Sequence, residues 1–252
     1  MSSEILIEVC VDSVQSAVAA ERGGAARIEL CSGVVEGGLT PSAGLLEMTR
    51  AKVSIPVHVM IRPRGGDFCY DDDEFETMQR DIVLAKQFGA SGVVLGILDA
   101  NAHIDFERMR LCVSLARPLE VTFHRAFDMT ADPFSALEEL CALKVNRVLT
   151  SGGEQTSPQG ATVIAQLIER ARGRITVMPG SGIKPGNARD LVRQTGAREI
   201  HVGLRTAAPS PVLHQNLRIS MGAIPGREYQ RFHVLEENVR SLGDALAGVS
   251  AG

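Results

Sequence analysis

The chain has 252 residues, with 26 Lys and Arg against 30 Asp and Glu and a formal net charge of −4. That balance argues against a basic nucleic-acid-binding face, and no apolar run is long enough to span a bilayer. The length suits one large α/β domain or two small ones.

The first elements are a phrase said twice. Glu8-Val9-Cys10 ends the apolar run from Ile5, and Glu29-Leu30-Cys31 ends the run from Ala25. Between them, Asp12 to Arg22 reads as a helix with Asp12 or Ser13 as N-cap, closed by Gly23-Gly24. A helical connection of this length makes the two strands parallel. The alternation then continues. Helices are expected at Ser42–Lys52, Asp73–Phe88, Asp105–Leu115, Pro133–Leu143 with Asp132 as N-cap, Gly160–Ala171 and Pro185–Gln194. Strands are expected at Val57–Arg62, Gly92–Gly96, Leu119–His124, Arg147–Thr150, Ile175–Met178 and Glu199–Val202. An irregular piece, Ala207 to Arg227, leads to a last helix at about Glu228–Leu246. Asp71-Asp72-Asp73-Glu74 reads as an acidic helix start that favours the macrodipole.

Eight strands alternating with eight helices predict an α/β fold, a (β/α)8 TIM barrel in a single domain, with the barrel at about 5–206 and a C-terminal loop and helix over 207–252. The competitor, a doubly wound open sheet, normally carries a glycine-rich phosphate loop after the first strand. Cys10-Val11-Asp12-Ser13 has none. Met1-Ser2-Ser3-Glu4 lacks the start of a signal peptide. The five cysteines, an odd number, have no framework spacing. A reduced, cytoplasmic protein is therefore expected.

Barrel active sites lie at the C-terminal ends of the strands. Those ends carry Glu8, Cys10, Glu29, Cys31, His58, Met60, Arg62, Arg64, His124, Arg125, Asp128, Ser151, Met178, Ser181 and His201. Side chains alternate along a strand, so Glu8 and Cys10 share a face, as do Glu29 and Cys31, and His58, Met60 and Arg62. The outer face packs under helices, so the charged parity should point inward. Soft metals prefer thiolate and thioether ligands, and imidazole also suits copper. Cys10, Cys31, Met60, His58, His124 and Met178 offer such a set. The plainer alternative makes the cysteines small buried hydrophobes, the methionines core filling and the histidines hydrogen-bonded partners of carboxylates.

Two glycine-rich turns lie at the same end. Gly180-Ser181-Gly182 follows the seventh strand and Ser151-Gly152-Gly153 the sixth. Either they cradle an anion with free backbone N–H groups, or they are tight turns that need φ > 0.

At these residues the chain resembles the CutC family, the copper homeostasis proteins. The phrases that carry the likeness are Glu8-Val9-Cys10, Arg27-Ile28-Glu29-Leu30-Cys31, Gly37-Gly38-Leu39-Thr40-Pro41-Ser42, Val59 to Phe68, Thr122 to Asp128, Leu149 to Gly153 and Met178 to Gly182. The resemblance implies a TIM barrel, a cytoplasmic location and a homo-oligomer, a dimer or tetramer. It also implies copper homeostasis, with Cu(I) bound by Cys10 and Cys31. Two readings follow. In the first, Cys10 and Cys31 hold Cu(I), with Met60 or His58 as a further metal ligand. In the second, the barrel mouth is an enzyme site for a small anionic or phosphorylated substrate. Arg62, Arg64, Arg125 and the two glycine turns would then bind the anion, and Glu8, Glu29, His124 or Asp128 would do acid–base work. A Schiff-base aldolase fits less well, because no Lys ends a strand. Neither reading involves nucleic acid or a membrane.

Overall fold

A computed structural model describes residues 5–222, 224 and 226–249. Eight parallel strands form the barrel: β1 (Leu6–Val11), β2 (Arg27–Leu30), β3 (Val57–Met60), β4 (Gly92–Leu95), β5 (Glu120–Phe123), β6 (Arg147–Thr150), β7 (Thr176–Pro179) and β8 (Glu199–Val202). Each pairs with its neighbour in sequence, β1 also pairs with β8, and a parallel bridge from Gly180 to His201 closes the ring between β7 and β8. The (β/α)8 architecture expected from the alternation is the one observed.

Outward positions of the strands, such as Val9, Ile28, Val59, Val93, Val148 and Ile200, are fully or almost fully buried beneath the helices. The helices are α1 (Val14–Arg22), α2 (Ala43–Arg50), α3 (Asp72–Gln87), α4 (Phe106–Ala116), α5 (Pro133–Ala142), α6 (Ala161–Ala171), α7 (Pro185–Thr195) and α8 (Glu236–Leu246). Their starts follow from local chemistry. Ser13, Ser42, Asp105 and Asp132 each accept a backbone N–H of the first turn, which satisfies donors that a helix leaves free. Asp71 and Glu74 form a reciprocal capping box, 2.8 and 3.0 Å, so the acidic run is a helix start. No helix among the described residues is long and apolar enough to cross a membrane.

The segment after the barrel differs from the expected irregular piece and long helix. Arg205–Pro209 (β9) pairs antiparallel with Gln230–Val234 (β10), and α8 begins only at Glu236. The physical reason is that β10 brings Val234 and Phe232 down onto the barrel and two arginines. Val234 is buried, and Phe232 is half-buried between the guanidinium groups of Arg205 and Arg227, 5.4 and 4.9 Å from its ring centre. Helix α8 then buries Val239, Leu242 and Leu246. Arg189 of α7 donates to the carbonyls of Ala245 and Ala247.

Candidate metal centre at the barrel mouth

The register sets the layers of the interior. Glu8 pairs with Arg27 and His201, Cys10 with Glu29, and Glu29 with His58. One residue pair further along, Cys31 therefore stands level with Met60. The deepest layer is an ion network. Arg27 donates to Glu8 and, at 2.8 Å, to Glu199. Arg147 donates to Glu199 at 2.5 Å and to Glu120 at 3.1 Å. Buried charges are costly unless paired, and here Arg27 and Arg147 each meet two carboxylates.

Above this network stands His201. Its Nδ1 donates to Glu8 Oε1 at 2.7 Å, and its Nε2 lies 3.8 Å from Glu29 Oε2. Burial pushes the Glu8 carboxyl up, but the hydrogen bond from His201 and the charge of Arg27 overcome this and hold it well below the ordinary range. Burial pushes the Glu29 carboxyl up, and there it prevails despite His201. For His201, burial works against the charged form, but Glu29 and Glu8 raise it above the ordinary histidine value. Two carboxylates on neighbouring strands are thus driven apart by their surroundings.

The next layer is sulfur. Cys10 Sγ lies 3.5 Å from Cys31 Sγ, with no disulfide. Cys31 donates to the Val11 carbonyl at 3.6 Å, so Cys10 supplies the hydrogen between the two sulfur atoms. That hydrogen bond, then burial, then the nearby Glu29 charge push the Cys10 thiol well up. Met60 packs in the same small cluster with Cys31 and Val94, and Cys10 and Val34 border it. Cys31 is buried, whereas Cys10 is half-buried. The glycine loop after β2 lies over this cluster. A side chain at Gly38 would come within 3.2 Å of Met60 Cε and 3.6 Å of Cys31 Cβ.

His58, a candidate ligand by type, lies one layer deeper and faces Glu120, 3.6 Å away. Burial lowers its pKa to about 4. Met178 instead accepts from Arg27 at 3.5 Å. His124 belongs to another part of the mouth. Its Nδ1 accepts from Ala126 N at 3.2 Å, and its ring lies 5.0 Å from that of Phe68. Burial, then the charge of Arg62, lower it to about 3. Strand β4 and the residue after it make room for both imidazoles: a side chain at Gly92 would strike the His58 ring at 2.6 Å, and one at Gly96 the His124 ring at 2.7 Å.

Arg62 is 5% exposed and meets no carboxylate among the described residues. It donates to the carbonyls of Glu36, Gly38 and Gly66, at 2.6, 3.1 and 2.8 Å, and so ties the loop after β2 to the loop after β3. Arg64 is spent on Glu74 and the Cys69 carbonyl at the start of α3. Arg125 donates to Asp128 at 2.7 Å and Ser151 at 2.8 Å. Asp128 also accepts from Thr150 Oγ1, Ser151 N and Gly153 N. The N–H groups of Ser151 and Gly153 therefore already hold an anion, the protein's own Asp128 carboxylate, and that of Gly152 goes to Thr150 Oγ1. In the other glycine turn, Gly180 N is spent on the Thr150 carbonyl. Ser181 and Gly182 adopt φ of 80° and 73°. Sequence reasoning placed His201 at the mouth without a role, and Arg27, Arg147 and Glu199 escaped it. For Arg27, Glu199 and His201 the signal was strand parity, which puts charge on every second residue of β2 and β8, whereas Arg147 is the single charge of β6.

The chain is a (β/α)8 barrel whose mouth brings together two thiols, a thioether and carboxylates, a donor set that could hold a metal ion. Comparison places it in a family. The CutC family profile matches residues 5–206, and the chain belongs to the CutC family. It is 55% identical over 218 residues to the copper homeostasis protein cutC homolog of Mus musculus, covering 86% of this chain and 80% of that one. It is 43% identical over 241 residues to a CutC family protein of Chromobacterium violaceum, covering 96% and 98%. The crystal structure of CutC from Streptococcus agalactiae superposes with a TM-score of 0.75 at 33% identity, covering 79% of this chain and 98% of that one. Thiamine phosphate pyrophosphorylase from Pyrococcus furiosus, at 16% identity and a TM-score of 0.59, shares the fold.

Proposed function

We propose that this chain is a copper homeostasis protein that binds Cu(I) through Cys10 and Cys31, with Met60 as a third sulfur donor. The observation that carries the reading is the 3.5 Å approach of two unlinked thiols beside a buried thioether. Soft sulfur donors of this kind select Cu(I). The name of the mouse relative, a copper homeostasis protein, supports the same reading. Cys10, the more exposed thiol, receives the ion, and Cys31 retains it. All five cysteines are free, as suits the reducing cytoplasm. Leu213, Leu217 and Met221 are 82–102% exposed, and a homo-oligomer that covers them belongs to the same proposal. The test is competition with a Cu(I) chelator. Wild type should withdraw copper from the chelator, Met60→Leu less strongly, and C10S/C31S not at all. Equal competition by the double variant removes the thiols as ligands.

A second reading is favoured by Arg62. It is a buried guanidinium that meets carbonyl oxygens and the face of Phe68 but no carboxylate among the described residues, and the buried Nε2 of His124 near it has no partner. A small anionic or phosphorylated substrate would answer both, with Glu8, Glu29 and His124 as acid–base groups of an enzyme. A thermal-shift and calorimetric screen of phosphorylated sugars and small carboxylates tests it. Binding by wild type that Arg62→Ala weakens by about 1.5–3 kcal/mol supports it. A screen without any binder, with the variant folded, removes it.

A further inference from the structure

We propose that Glu8, Glu29 and His201 build a second metal site, one layer below the sulfur atoms, for a borderline divalent cation of the Zn2+ class. The inference does not depend on the copper reading. The three residues stand on the adjacent strands β2, β1 and β8, and one donor atom from each lies within 4.8 Å of the others. The donors are carboxylate oxygen and imidazole nitrogen, a harder set than the sulfur layer above, which suits Zn2+ better than Cu(I).

Three features point to an ion and not to an ion pair alone. Glu29 is 3% exposed, yet its Oε1 has no partner, and buried carboxylate oxygens are rarely left so. Its Oε2 stands 3.8 Å from His201 Nε2. That is too long for a hydrogen bond, whereas an ion about 2.0–2.2 Å from each donor bridges such a gap. The site also has built support. His201 is fixed through Nδ1 by Glu8, Glu8 by Arg27, and Arg27 by Glu199, which Arg147 holds in turn. A carboxylate that orients a histidine whose other nitrogen is free is the usual backing of a metal ligand. With both Glu8 oxygens engaged by His201 and Arg27, Glu29 and His201 are the direct donors, and the remaining positions are left for water or substrate.

The experiment titrates Zn2+ calorimetrically into the full-length C10S/C31S protein, so that sulfur cannot contribute. C10A/C31A is a second thiol-free background, and circular dichroism and a thermal melt verify folding of each. One Zn2+ per chain is expected. Adding Glu29→Gln or His201→Gln should weaken binding by roughly 100-fold or more, the upper end of what outer partners alone contribute. A folded thiol-free protein that takes up no Zn2+, or one whose affinity His201→Gln leaves unchanged, overturns the site. Failure of the copper reading would show separately, in Cu(I) competition by wild type.

Discussion

His201 and Glu8 lie 193 positions apart in sequence, and Nδ1 of one is 2.7 Å from Oε1 of the other. The contact joins the last strand to the first inside the barrel, and Glu8 also takes the charge of Arg27. Removing the Glu8 charge leaves two buried cations short of a partner. Glu8→Gln should destabilise the protein by about 3–5 kcal/mol, read from urea unfolding. A loss below 1 kcal/mol would mean that the network does not hold the ring closed.

Gly92 and Gly96 are spaces for imidazole rings. Gly92→Ala should cost about 1–3 kcal/mol, as overpacking does, because its Cβ would meet the His58 ring at 2.6 Å. His58→Ala in the same chain should recover part of that cost. A double-mutant cycle by urea melts measures the coupling, and strict additivity would contradict the steric account.

Asp128 holds the loop after β6 through Ser151, Gly153 and Arg125. Asp128→Asn should lower stability by about 1.5–3 kcal/mol, the range for hydrogen bonds to a charged group. Hydrogen exchange of the Ser151 and Gly153 amides should quicken. Unchanged exchange there would show that the loop stands without the carboxylate.

His124, with its pKa lowered to about 3, is neutral in the folded protein. Unfolded histidine titrates near 6.5, so between pH 6.5 and about 3 the unfolded chain binds the extra proton. Stability from this group is full above pH 6.5 and falls as the solution is acidified. The slope is about 1.4 kcal/mol per pH unit. The stability of His124→Gln should fall less steeply from pH 6.5 to 4.5, by that amount, in urea melts. Parallel slopes for wild type and variant would exclude His124 as an acid-sensitive group.

Much of this was legible in the sequence. Alternation of apolar runs with capped helices gave the barrel, and parity turned Glu8, Cys10, Glu29, Cys31 and Met60 inward. Partner choice was not legible, because it depends on register across strands. Nothing local says that Arg27 meets Glu199, 172 residues away, or that His58 faces Glu120 while Met60 joins the thiols. The loop after β6 shows the same limit. Ser151-Gly152-Gly153 has the composition of an anion cradle, but only the folded chain reveals that Asp128 occupies it. The β9–β10 pair was missed because its five-residue strands carry no alternating pattern of burial and are separated by a long connection.

The most direct measurement of the copper reading is X-ray absorption at the copper edge on Cu(I)-loaded protein. A first shell of two or three sulfur atoms is expected, from Cys10, Cys31 and Met60, with the sulfur signal lost in C10S/C31S. A first shell of nitrogen and oxygen alone, or sulfur scattering that survives in the double variant, would contradict it.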